Sequence, residues 1–598
     1  EFDDGYFRVN GRNALYFPEA PDRVTLSNRW QGDSLVHPDR GLEQTRLDSK
    51  SGVLSAIAEY RPEIPAGGQK VVVSVGILSR GGKWRPALPS VKEIGYARDN
   101  ELNRLRAAEK SGMRIEIPHT ALNAAFRAVK GRLQVFDDGD RFSPGSFLYH
   151  GHWFRDSAFI ALAFDQMGMR ARVAGKMEGS LKRQDTTGFF RSQNGEWDSN
   201  GQALWTLIGH VQRGGDASLL VRAWPALMRG ARWIDKMRRK GRLQASAHFG
   251  LLPAGFSAEH FGPNDHYYWD NFWSLAGLEK MVWAARHLDR EIDRAWLESL
   301  LAEYRADAGA SIQQAFQRAG RDALPCSPYR GPDSAAVGNL VAVSPLGIAA
   351  ADAEWVEATV EFLVRQNLRD GLFLQKIIHT GLNPYLSAQL ARALMQRQDP
   401  RAFDILESML RHGGPTLAWP EAIHPRTGGG CMGDGDHGWA AAEFLNLIRD
   451  ILVREEGDSS AVGKRNPSLL LLSGAPEDWF GPGRTLSVSG APTLHGDVSF
   501  RLQFDAREGR DGRGAGFTLE WKCSRLEHQD PAVLRLCLPQ RLAFAMGLAE
   551  CGLETVAAGS QLRLTLPEPS GSRRFESMRP HGYEHFDPSP TRRISHAG

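Results

Sequence analysis

The chain has 598 residues, a formal charge of +3, and 42% apolar, 24% charged and 9% aromatic residues. That composition is ordinary for a folded protein and excludes a disordered or collagen-like chain. The near-even charge argues against a nucleic-acid partner, and no run of about 18 apolar residues predicts a membrane span.

Length alone suggests about four domains. The five cysteines (Cys326, Cys431, Cys523, Cys537, Cys551) are scattered and never form a C-x-x-C pair, so neither a structural zinc site nor a disulfide framework is expected. No metal or cofactor is called for. The opening Glu1-Phe2 has the look of a cloning remnant. It leaves the compartment open, cytoplasmic or periplasmic for a soluble chain, and the oligomeric state is not readable.

Residues 1–88 read as an N-terminal β-sandwich-like region. Val24-Thr25-Leu26, 53–60 and 71–75 are rich in β-formers and separated by Pro and Gly. A basic, helix-prone linker follows over 89–114. From 115 to 458 helical apolar spacing takes over, at 121–135, 154–167, 203–211, 219–237, 272–288, 295–316, 355–363, 386–395, 403–410 and 439–453. Weaker segments at 171–184 and 335–350 bring the count to about 12 helices with no strands between them, an all-α domain. Period-two alternation returns over 465–567, at 498–502, 517–521, 533–538 and 562–566, and predicts a C-terminal β-rich domain. The tail, 568–598, reads as irregular.

Of the 16 tryptophans, 12 fall between Trp153 and Trp439. Several stand beside acids where a loop meets a helix: Trp153-Phe154-Arg155-Asp156, Glu196-Trp197-Asp198, Tyr267-Tyr268-Trp269-Asp270 and Trp419-Pro420-Glu421. A fifth block, Gly433 to Trp439, contains Asp434, Asp436 and His437. An acid there is a favoured helix cap, which explains any one junction taken alone. Five in one domain point to a carbohydrate site. Aromatic rings cover the apolar face of a pyranose while Asp, Glu, Arg and His bind its hydroxyls. Hydrolysis of the glycosidic bond adds the need for two carboxyl groups, one protonated and one ionised. Asp434 and Asp436 lack the remaining ligands of a calcium loop.

These blocks resemble a family pattern. Trp153 to Ala158 is similar to the W-x-R-D-S-A block that opens the glucoamylase-type (glycoside hydrolase family 15-type) catalytic domain, and Glu196 to Leu204 resembles the family's next block. Trp269-Asp270 stands where that family has a Trp-Glu with the general acid, and Glu421 where it has the general base. Tyr267 to Asp270 and Gly195 to Asp198 also resemble motifs of trehalases and processing α-glucosidases. The resemblance covers about 340 residues of motif order. It implies a mainly α fold, an (α/α)6 toroid between β-rich regions, and an inverting glycoside hydrolase for an α-linked glucoside, oligosaccharide or exopolysaccharide.

On this reading Asp270 is the general acid, kept protonated by its aromatic neighbours, and Glu421 the base. Asp198 and Glu196 are the alternative catalytic carboxyls. Trp153, Arg155, Asp156, Trp197, Tyr268, Trp269, Trp419, His437 and Trp439 are expected to bind sugar. Inversion requires the catalytic pair to stand roughly 6.5–9.5 Å apart. Two other classes fit the same residue types. One is a polysaccharide lyase or epimerase using His152, Tyr149 or His437. The other is a non-catalytic glycan-binding protein.

Overall fold

The computed structural model describes residues 1–28, 30–31, 38–50, 54–70, 72, 74–76, 91–243, 246–257, 264–376, 381–456, 468–505, 516–524, 533–545, 554–555, 561–566 and 570–576. The chain forms two compact units, Glu1–Arg106 and Ala107–Gly598.

Among the described residues the first unit holds two antiparallel sheets. One contains strands Phe2–Asp3, Tyr6–Val9, Arg12–Tyr16 and Val75–Gly76; the other pairs Arg23–Asn28 with Leu54–Glu59. The predicted strands at 24–26 and 53–60 are this second pair. Of the predicted 71–75 strand, residues 71 and 73 lie outside the described residues. The expected linker helix is α1, Val91–Lys110, which crosses the boundary between the units.

The second unit contains α2 (Thr120–Arg132), α3 (Phe154–Gln166), α4 (Arg170–Leu181), α5 (Ser199–Gln212), α6 (Ser218–Lys240) and α7 (Tyr268–His287). It continues with α8 (Glu291–Arg318), α9 (Glu354–Asn367), α10 (Pro384–Gln396), α11 (Arg401–His412) and α12 (Gly438–Leu452). The weak helical signal at 335–350 is a 3-10 segment, Ser334–Ala342, started by an Asp333 side chain that accepts the Ala335 N–H.

Two kinds of helix alternate. Every residue of α3 and α12 is buried, as is nearly all of α5 and α10. In α11, only one stripe is buried. A helix buried all round belongs inside a bundle, and a striped one belongs against its outside. The packing agrees. α3 contacts α5, α5 contacts α7, α7 contacts the 3-10 segment, that segment contacts α10, α10 contacts α12, and α12 returns to α3. The striped helices lie against this series, α4 on α3 and α5, α6 on α5 and α7, and α11 on α10 and α12.

Backbone connects the helical body with the C-terminal β region. Strand Arg114–Glu116 pairs with Thr485–Thr493, and α12 runs directly into strand Val453–Glu456 of a second sheet. Both lie in the unit Ala107–Gly598. The predicted irregular tail also begins with order. Ser570–Glu576 pairs with Gly516–Cys523, and Phe575 stacks on Phe517 at 4.8 Å.

A small antiparallel sheet inside the helical body bears on the site. Ala422–Ile423 pairs with Gly381–Leu382 on one side and with Gly430–Met432 on the other, which fixes the loop that starts at Glu421.

Candidate active site

The long helices α3, α5, α7 and α12 bring their N-terminal ends to the acid-bearing junctions. Trp153 precedes α3, with Arg155 and Asp156 in its first turn; Asp198 precedes α5; Asp270 lies in the first turn of α7; His437 precedes α12. Unpaired N–H groups at helix N-termini give such a place positive potential, which favours carboxylates and polar ligands.

A cavity of about 490 Å³ lies there, lined by residues that include Tyr149, Trp153, Arg155, Asp156, Glu196, Glu421, His437 and Trp439. Its size suits one or two sugar rings, and three carboxyl groups share its wall.

Glu196 and Asp198 are joined by one guanidinium. Arg155 donates from Nη2 to Glu196 Oε2 at 3.0 Å and from Nε to Asp198 Oδ2 at 2.9 Å. The same Asp198 oxygen accepts from Trp269 Nε1 at 2.9 Å and Gln202 Nε2 at 2.8 Å. Asp198 is thereby a fixed acceptor 1% exposed, behind the wall rather than on it. Glu196 differs. Burial, against the pull of Arg155 and helped by the charges of Asp198 and Asp156, raises its carboxyl to about 6. A group so placed can hold a proton in mildly acidic solution and give it up there.

Glu421 faces the same cavity. Burial raises its carboxyl, while His437 and a hydrogen bond from Tyr149 act in the opposite sense. Its Oε2 has no hydrogen-bond partner among the described residues. Gly433, at φ +68°, lies against it. A Cβ there would fall 2.9 Å from Glu421 Oε2 and 3.2 Å from the Tyr149 ring, so only glycine fits. His437 Nε2 lies 3.6 Å from Asp156 Oδ1, and its backbone N–H donates to Trp419 O.

Of the residues expected to bind sugar, Trp153, Arg155, Asp156, His437 and Trp439 line the cavity. Trp439 stacks between Phe159 and Tyr385, leaving its buried indole N–H without a partner among the described residues. The other four lie elsewhere. Tyr268 bonds Ser311, Trp269 bonds Asp198, and Trp419 donates to Met409 O at 2.8 Å while its ring packs on Phe444. Trp197 packs against the stacked pair Phe189 and Trp233. The rings of Tyr268, Trp269 and Trp419 belong to the core beneath the site, while Trp197 is half-buried and donates to Ala254 O. Asp270 is 1% exposed and is not on the cavity wall; its charge acts on Tyr304 of α8. Sequence reasoning missed Gln193, Asn194 and Phe256 on the wall, which sit on loops, and Met432, which ends the short strand Gly430–Met432.

Asp434 and Asp436 serve the loops. Asp434 accepts the backbone N–H groups of Phe147 and Leu148 at 3.1 and 2.8 Å, and Asp436 pairs with Arg132 at 3.1 Å. Burial lowers His152 to about 3, so it stays neutral, and it does not line the cavity.

No protein-family model and no curated protein matches the sequence. Solved structures do match the fold. An α-L-rhamnosidase from Dictyoglumus thermophilum matches at a TM-score of 0.52 and 11% identity, over 78% of this chain and 50% of that one. A GH78 family rhamnosidase of Bacillus sp. GL1 matches at 0.50 and 15%, over 71% of this chain and 43% of that one. The chain thus spans about half the length of either rhamnosidase. A bacterial glucoamylase complexed with acarbose is more distant, at 0.40 and 12%, over 56% of this chain and 55% of that one. At these identities the first two likenesses establish a shared fold.

Proposed function

We propose that this protein is an inverting glycoside hydrolase, that its closed series of helices is an (α/α)6 toroid, and that Glu196 and Glu421 are its acid and base. The observation that carries the proposal is the single cavity walled by both carboxyls together with Arg155, Asp156 and aromatic rings. Glu196 has the raised carboxyl that an acid needs and stands on the wall; Asp270 does not line it, which favours Glu196 as the proton donor. The free oxygen of Glu421 is suited to draw a proton from water.

In this mechanism Arg155 and Asp156 hold hydroxyls of the ring bound deepest, and Trp153 offers an apolar face. Glu196 protonates the departing glycosidic oxygen. Glu421 removes a proton from a water that attacks the anomeric carbon from the opposite side. The substrate class is an α-linked glucoside, oligosaccharide or exopolysaccharide, and the rhamnosidases of similar fold put rhamnosides on the panel to be tested. Screening such a panel with wild type, Glu196→Gln and Glu421→Gln tests the reading. Hydrolysis lost in both variants with sugar binding retained supports it. Undiminished hydrolysis in both contradicts it.

A further inference from the structure

One side of the cavity is built by the segment between α6 and α7, which places Phe256 on the wall. The Phe256 N–H donates to Gly195 O at 2.8 Å, and Trp197 Nε1 donates to Ala254 O at 3.2 Å. Gly255 lies so close that a Cβ there would fall 2.4 Å from the Trp197 ring. The segment is thus packed on the two residues that flank Glu196. Its far side is tied by backbone bonds exchanged between Gly255 and Asp265, at 2.9 and 3.0 Å.

A pair of histidines fixes the same segment. His266 Nδ1 donates to Leu252 O at 2.7 Å, and the His266 ring stacks on that of His248, with centroids 3.9 Å apart and planes 8° from parallel. His248 Nδ1 shares a hydrogen bond with the Tyr329 hydroxyl, and the Tyr329 ring meets both imidazoles edge-on. Leu252 is buried, and its N–H donates to Asn271 Oδ1 of α7 at 3.0 Å.

Two stacked imidazoles can carry one positive charge between them, whereas two charges at that separation repel. Burial and the His266 charge hold His248 below its ordinary value of 6.5, against the pull of Asp265. Asp265 itself accepts the His266 N–H and the Ser327 hydroxyl. The other charges around the pair are engaged. Asp307 of α8, beside Gly250, is bound by Arg238 and Arg242; Arg330, next to Tyr329, pairs with Asp333; Arg318 donates to the Pro328 and Arg330 carbonyls.

We propose that the His248–His266 stack is a pH-sensitive latch, which holds residues 249–256 on the Glu196 block while at most one ring is charged and releases them when both are protonated. A histidine held below its ordinary value takes up a proton more readily once its surroundings loosen. Protection of the segment is therefore full above pH 6.5 and is lost as pH falls below it. The latch is independent of the chemistry assigned to the cavity.

Hydrogen–deuterium exchange of the full chain tests it, read by mass spectrometry on peptides covering 249–257 between about pH 7.5 and about pH 4.5. Labelling times are scaled for the acid dependence of chemical exchange. Exchange of the wild-type segment should speed up about tenfold or more over that range, while peptides of α5 keep their protection. His248→Phe leaves a flat ring on His266 without the second charge, and His248→Gln also removes the titrating group. Both should keep the segment protected at the acid end. Tyr329→Phe, which retains both imidazoles, should keep the acid response. Circular dichroism confirms that each variant is folded. An unchanged wild-type segment at low pH, a loss of protection shared equally by α5, or the same acid response in a folded His248 variant would overturn the proposal.

Discussion

Arg155 donates to Glu196 at 3.0 Å, and the two side chains are 3% and 5% exposed. An ion pair in that setting would ordinarily hold a carboxyl low, yet Glu196 sits at about 6, because burial and the charges of Asp198 and Asp156 outweigh the guanidinium.

Activity should therefore fall as pH rises through about 6, since the proposed acid must carry its proton. The acidic limb belongs to Glu421, whose carboxyl also lies above its ordinary value, so the optimum should be narrow and mildly acidic. A pH profile of kcat/KM checks both limbs. In Arg155→Lys, with the bidentate contact weakened, the upper limb should move to higher pH while kcat/KM drops.

The same displacement acts on stability. A carboxyl raised in the folded state binds protons more tightly there than in the unfolded chain. Stability from this group is fully present below pH 4.5 and is lost as pH rises through about 6. Glu196→Gln should flatten that part of the stability curve, measured as Tm against pH, even as it lowers turnover.

Among single variants, Glu196→Gln and Glu421→Gln should each lower kcat by about 10²–10⁴-fold, the usual range for losing an acid or base. Asp270→Asn should cost less than about tenfold in kcat. If Asp270→Asn and not Glu196→Gln abolishes turnover, the acid is Asp270.

Gly433→Ala places a methyl 2.9 Å from Glu421 Oε2 in a left-handed backbone. It should cost about 1 kcal/mol or more in stability and lower kcat more than it raises KM. Kinetics and a thermal melt on one preparation separate these effects.

Two tryptophans named together in the sequence should part company. Trp419→Phe removes a buried donor to Met409 O and should destabilise by about 1–3 kcal/mol with KM unchanged. Trp153→Ala should raise KM with little effect on Tm, since this ring is on the cavity wall.

The helices were legible where apolar residues recur at helical spacing; α3, α6 and α10 begin and end within a few residues of their apolar patterns. The 3-10 segment was weakly marked because a run such as Val337 to Val343 is apolar without a face. Arg155, Asp156 and Glu421 were legible as site residues because charged side chains at loop-to-helix junctions are conspicuous. What composition could not tell was which side of a junction faces the cavity. Glu196 and Asp198 are two residues apart, yet one lines the cavity and the other lies behind it, where Asp198 accepts from Gln202 and from Trp269 of a different block. Likewise Trp269 and Trp419 carry the composition of a sugar platform but turn into the core.

The most direct measurement is the configuration of the first product, followed by NMR during the earliest turnover of a hydrolysed glycoside. Glu196 and Glu421 acting as acid and base predict the anomer opposite to that of the substrate, formed before mutarotation. A first product of retained configuration would contradict the account.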